Sequence, residues 1–139
     1  MFSPGALNYY AIAAAAASSI VIGFIWYGPL FGTAWMKEMG VAPDFKPDPS
    51  LMQRSLLLMT VGAVLTALAL ASALHIAGSR APAALQGLAT ALGAWAGFYV
   101  PMLLGGVAWE NRSWKWFRIN AGYHLMALLA AAMILAYWR

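Results

Sequence analysis

The side chains able to do chemistry crowd into positions 110–124, where Glu110, Asn111, Arg112, Arg118, Asn120, Tyr123 and His124 stand close in sequence. Asn120 and His124 are four apart, which places both on one face if the segment is helical. His124 would lie about 10 Å along that helix from Phe117, at ~1.5 Å per residue. Histidine is the side chain suited to proton transfer and metal ligation near neutral pH. An ionisable residue at membrane depth is a functional hypothesis by default. The competing reading is a satisfied polar cluster that orders the neighbouring loop.

Other chemistry is excluded by what the chain lacks. There is no cysteine, so disulfides, thiolate metal sites and cysteine nucleophiles are absent. No Gly-x-Ser-x-Gly, His-Glu-x-x-His or phosphate-loop pattern occurs. The other histidine, His75, falls near the opposite end of a different apolar segment, so a bis-histidine metal or haem site would need a partner chain. No cofactor and no metal are expected, and the chain reads as a non-enzyme.

The elements that must position these residues are unusually apolar. Four stretches, about 7–27, 55–77, 82–107 and 119–138, contain no charged residue, and each can cross ~30 Å of hydrocarbon. Of 139 residues, 63% are hydrophobic and 9% charged, against about 25% charged in a soluble domain. The expected fold is therefore all-α: an integral membrane bundle of four transmembrane helices in one domain over residues 1–139. The first span lacks a basic leader and a small-residue cleavage site, so it is expected to be retained rather than removed as a signal peptide.

The net charge of +4 does not point to nucleic acid, because the basic residues flank spans instead of clustering. Lys37, Lys46, Arg54, Arg112, Lys115 and Arg118 fall on one side of the bundle, Arg80 and Arg139 on the other. The positive-inside rule then puts the first and third loops in the cytoplasm and both termini outside. Aromatic residues cluster at the same levels. Trp26, Tyr27, Phe31 and Trp35 sit below the first span, Trp109, Trp114, Trp116 and Phe117 around the third loop. Such rings anchor at the headgroup level or touch a partner.

The first loop has two parts. Leu30 to Met39 carries Phe31, Trp35 and Met39 at i, i+4, i+8, which predicts a short interfacial helix after the first span. Ala42 to Ser50 holds three prolines and predicts a non-helical connector, with Asp48 or Ser50 capping the second span. The turn from Gly78 to Ala81 makes spans two and three an antiparallel hairpin. Pro101, inside the third span, removes the bond to the Gly97 carbonyl and should distort the helix, marking a place for a cavity. Tyr27-Gly28-Pro29 and Tyr99-Val100-Pro101 suggest a two-helix repeat of the kind found in transporters. Small residues in spans one, three and four, including a Gly93/Gly97 GxxxG pair, suit close helix packing within the molecule.

Asn8-Tyr9 opening the first span, Gly23 with Trp26-Tyr27-Gly28-Pro29-Leu30-Phe31-Gly32 closing it, and Trp35 beyond resemble the signature of the domain of unknown function 1761 family. Asn111-Arg112-Ser113-Trp114 and Ile119-Asn120-Ala121-Gly122-Tyr123 resemble its C-terminal pattern. The resemblance implies four spans and a bacterial inner membrane, and no activity. Asn8, Trp26, Tyr27, Pro29 and Trp35 thereby join the polar cluster as candidate residues, and Gly97 and Pro101 join it as the residues of the kink. Trp26, Tyr27 and Pro29 also serve simply to end the span.

The function expected is non-enzymatic helix packing, as a homo-oligomer or as an accessory subunit of a larger membrane complex. The expected partners are the lipid bilayer and a protein within the membrane. The alternative is a carrier or pore for a small neutral or amphipathic molecule, which requires a polar cavity reaching the membrane midplane.

Overall fold

Lipid offers no partner to a peptide group, so apolar segments must close their hydrogen bonds within themselves. The chain does so as helices throughout, in a computed structural model that describes residues 6–139. Helix α1 is Tyr9–Ile25 and runs directly into a π turn, Trp26–Leu30. Helix α2, Gly32–Glu38, is the short helix expected after the first span. Helix α3 is Pro49–Ala77, and α4 is Ala83–Ala94. A second π turn, Trp95–Tyr99, joins α4 to α5, Val100–Trp109. Helix α6 is Trp114–Tyr137. Among the described residues there is no strand, and four helical stretches are long and apolar enough to cross a membrane: Tyr9–Leu30, Pro49–Ala77, Ala83–Trp109 and Trp114–Tyr137.

Two helices begin earlier than the apolar runs suggest. The 29 residues of α3 span about 43 Å, and the 24 of α6 about 36 Å, at ~1.5 Å per residue. Both exceed ~30 Å of hydrocarbon, so Arg54, Lys115 and Arg118 ride on helical turns that project beyond it. Their starts are set by local capping. Asp48 Oδ1 accepts from Ser50 N at 3.4 Å, and Ser113 Oγ accepts from Trp116 N at 3.0 Å. Asn8 caps α1 through Tyr10 N and Ala11 N, both at 3.1 Å, satisfying amides that lack helical partners. Its amide nitrogen also donates to the Trp138 carbonyl at 3.3 Å, tying the start of α1 to the end of α6. Gly78, at φ 66°, turns α3 back into α4, a conformation open to glycine without strain.

Helix α6 is the axis of the bundle, packed by α1, α3 and α4, and it buries residues on several sides. The core is mostly alanine: Ala11, Ala15 and Ala16 of α1 cluster with Ala67 and Ala71 of α3 and with Ala131, Ala132 and Ala136 of α6. Apolarity alone does not drive helices together in lipid, and small side chains permit the close backbone approach that does. At Gly87 a Cβ would stand 2.9 Å from Met133 Sδ and 3.2 Å from the Ala132 carbonyl. Gly93 and Gly97 behave differently. A Cβ on either meets nothing within 4 Å, so the GxxxG pair expected to pack internally faces outward. The π turn beside it rotates the flanking side chains, which the simple helical spacing of the sequence does not anticipate.

Helix α3 is half detached. Its buried residues, Ala67, Leu70, Ala71 and Leu74, all lie in its second half, while Leu51, Leu57, Leu58 and Val61 are exposed. This leaves a groove between α1 and the first half of α3.

Candidate functional site

Both π turns carry a Trp-x-Gly sequence and both aim a tryptophan at α6. Trp26 Nε1 donates to the Ile119 carbonyl at 2.9 Å, and Trp95 Nε1 to the Ala121 carbonyl at 2.8 Å. In the first turn Phe31 N reaches back to the Trp26 carbonyl at 2.8 Å; in the second, Val100 N reaches the Trp95 carbonyl. The extra residue in each turn accommodates a proline nearby, Pro29 or Pro101, whose missing N–H interrupts the helical ladder. The correspondence between the halves is thus Trp26 with Trp95, a register different from Tyr27 with Tyr99.

The first π turn sets Tyr27 against α6. Its hydroxyl donates to Asn120 Oδ1 at 2.6 Å, and Asn120 Nδ2 donates to the Trp116 carbonyl at 2.8 Å. Tyr27 also contacts the rings of Trp35 at 5.6 Å and Tyr123 at 5.1 Å. Tyr123 donates in turn to the Ser19 carbonyl at 3.2 Å. The second π turn brings Tyr99 beside Thr66, hydroxyl to hydroxyl at 3.3 Å. The ring of His124 sits between the two tyrosines, 4.5 Å from Tyr99 and 4.9 Å from Tyr123. Among the described residues no hydrogen bond holds either of its nitrogens.

These groups surround a chamber of about 280 Å³, walled by Ser19, Thr66, Tyr99, Tyr123 and His124. Each belongs to a span, and each lies near the middle of its own helical stretch. His124 is about 15 Å from the start of α6, at ~1.5 Å per residue. The chamber shares Ile20 and Met59 with a larger apolar groove of about 570 Å³ between α1 and the first half of α3, floored by Tyr27 and Asn120. It shares Thr66, Tyr99 and Leu128 with a fissure of about 420 Å³ between α3 and α4.

The fold thereby divides the residues grouped by sequence. Asn120, Tyr123 and His124 join Tyr27, with Trp35 at the mouth of the groove. Glu110, Asn111 and Arg118 are exposed at the membrane surface, away from them. Asn111 takes φ 55°, and Glu110 lies 3.7 Å from Arg112. Arg112 and Ser113 instead tie the third loop to α2. Arg112 Nη1 reaches Met39 Sδ at 3.6 Å, and Ser113 Oγ donates to Glu38 Oε2. Asn8 belongs to the opposite end of the bundle, and Pro29, Gly97 and Pro101 are exposed on outer surfaces. Thr66, Met59 and Trp95 are site residues that sequence reasoning missed. The repeated Trp-x-Gly, at Trp26 and Trp95, is the signal that could have found the last.

Among the described residues, no three His, Cys, Asp or Glu side chains converge where a metal ion could sit. Residues 10–136 match the family described as "Protein of unknown function (DUF1761)". The chain belongs to that family. The match takes in all four candidate spans but for Tyr9 and Tyr137 at their outer ends, both π turns and every residue of the chamber. Comparison with curated proteins and with solved structures gives no match. The family therefore carries no chemistry to this site, and the arrangement must be read on its own terms. It offers hydroxyls and an imidazole near mid-span, beside an apolar groove that also holds the Asn120 amide.

Proposed function

We propose that this multi-pass membrane protein binds, and as a carrier passes on, a small neutral or amphipathic molecule, without catalysing a reaction on it. The observation that carries the reading is the chamber at His124, Tyr99 and Tyr123, mostly apolar but with these polar groups converging in it, near mid-span, and adjoining an apolar groove at Ile20 and Met59. A polar cavity in hydrocarbon is costly unless something hydrogen-bonds within it, because each buried unpaired group costs about 1–3 kcal/mol. Sites of this kind, apolar with a few convergent polar groups, are the usual form of small-molecule pockets. The basic loops support a placement with both termini outside the cytoplasm.

The test is mass spectrometry of what co-purifies in mild detergent, comparing the native protein with Ala127→Leu and Gly62→Leu, which fill the chamber. A discrete small molecule that is lost from both variants is the expected result. The same detergent-derived species in all three would defeat the proposal.

A second reading has its own observation. The exposed first half of α3 and the outward Gly93 and Gly97 leave surfaces suited to a second copy or a larger membrane complex. Measurement of the protein's mass in nanodiscs decides it: a clean monomer with no partner removes it.

A further inference from the structure

We infer that the molecule held here is an uncharged lipid, with a hydroxyl head lodged against His124 and a hydrocarbon chain lying in the α1–α3 groove. This rests on the carrier reading above and adds the class of ligand.

The head is uncharged because nothing in the site could balance a charge. No Asp, Glu, Lys or Arg lines the chamber or the groove. Withdrawing an ion from water costs several kcal/mol even after relaxation, and only a close opposite charge repays it. The basic residues Arg54 and Arg118 are exposed and line neither space.

The head must nevertheless be polar, because the chamber holds unused hydrogen-bonding capacity. Tyr123 is already engaged with the Ser19 carbonyl, and Tyr99 and Thr66 share one contact between two hydroxyls. That pair keeps one proton and several lone pairs free. His124 adds more: a neutral imidazole carries one donor and one acceptor, and neither has a partner among the described residues. A group that accepts one hydrogen bond and can donate another satisfies this set; a methyl terminus leaves it unpaired.

The chain follows from the neighbouring space. The groove is walled by Phe24, Leu51 and Leu56, and Met59 stands between it and the chamber. Methionine is unbranched and adapts its shape readily, so it can admit a chain passing from one to the other. The first half of α3 is unpacked on this side, which opens the groove to lipid without any portal through the bundle.

The experiment uses the full chain in phosphatidylcholine nanodiscs with a diazirine-bearing hexadecanol as photoprobe. Unlabelled hexadecanol, hexadecyl sulfate and hexadecane compete, and labelled peptides are read by mass spectrometry. Labelling is expected on α1 and the first half of α3, with hexadecanol competing at least about tenfold better than either other compound. His124→Phe keeps the ring between the two tyrosines and removes its nitrogens, and should shrink the advantage of hexadecanol over hexadecane to within about threefold. His124→Gln restores a donor and an acceptor and should recover part of it; thermal melting confirms that both variants fold. Equal or better competition by the sulfate overturns the uncharged head while leaving the cleft intact. Equal competition by hexadecane, or no response to His124→Phe, overturns head recognition. Labelling spread evenly over all spans and unchanged in Met59→Trp would defeat the cleft itself.

Discussion

Gly122 tests whether the Trp26 anchor has the rigidity that the geometry implies. A Cβ added there would stand 2.8 Å from Trp26 Cζ2 and 3.2 Å from Cη2. Those atoms belong to a ring whose Nε1 is fixed to the Ile119 carbonyl at 2.9 Å. The indole cannot retreat without giving up that bond. Forcing a methyl group into such a contact costs about 1–3 kcal/mol. Loss of an interhelical hydrogen bond in a membrane protein adds about 0.6–1.7 kcal/mol. Alanine's better helix propensity returns about 1 kcal/mol. Gly122→Ala should therefore destabilise the protein by a net of about 0.6–3.7 kcal/mol. In a Trp26→Leu background the ring is gone, and Gly122→Ala should become neutral or stabilising. Unfolding of the four variants in mixed micelles of increasing dodecyl sulfate fraction measures both numbers. Equal effects of Gly122→Ala in the two backgrounds would refute the argument.

Four further outcomes are expected. Tyr27→Phe leaves Asn120 Oδ1 without its 2.6 Å donor and should cost about 1 kcal/mol in the same assay. Gly93→Ala meets open space and should stabilise the isolated protein by up to about 1 kcal/mol; a loss of stability, or of a dimer in nanodiscs, would mean that this face is covered. Ser113→Ala removes both the cap of α6 and the link to Glu38, so amide exchange in α2 should quicken and stability fall by about 1 kcal/mol. Because the chain has no cysteine, Asp44→Cys and Ser79→Cys report topology cleanly: in intact cells an impermeant maleimide should label Ser79→Cys and spare Asp44→Cys, and the reverse pattern would invert the orientation.

Four long apolar helices and the turns between them were legible in the chain alone, though not the earlier starts of α3 and α6 or the π turns. Those features follow from local rules: a peptide group in hydrocarbon must bond within its own segment, so apolar length sets the spans and Asn8, Asp48 and Ser113 set their starts. The sequence also marked Tyr27, Asn120, Tyr123 and His124 as the polar residues to watch. Only the tertiary structure decided which of them meet. Tyr27 and Asn120 lie 93 positions apart, Thr66 and Tyr99 lie 33 apart, and Glu110 parts company with His124 although they are near neighbours in sequence. The physical reason is that these helices are apolar on every side. A soluble helix announces its buried face by a stripe of hydrophobic residues, but here hydrophobicity does not tell inward from outward. Rotation is fixed instead by close contacts at Gly23, Gly87, Gly106 and Gly122 and by the two π turns. Those same turns leave Gly93 and Gly97 facing outward and swing Trp95 and Tyr99 inward, which is how the chamber comes to exist.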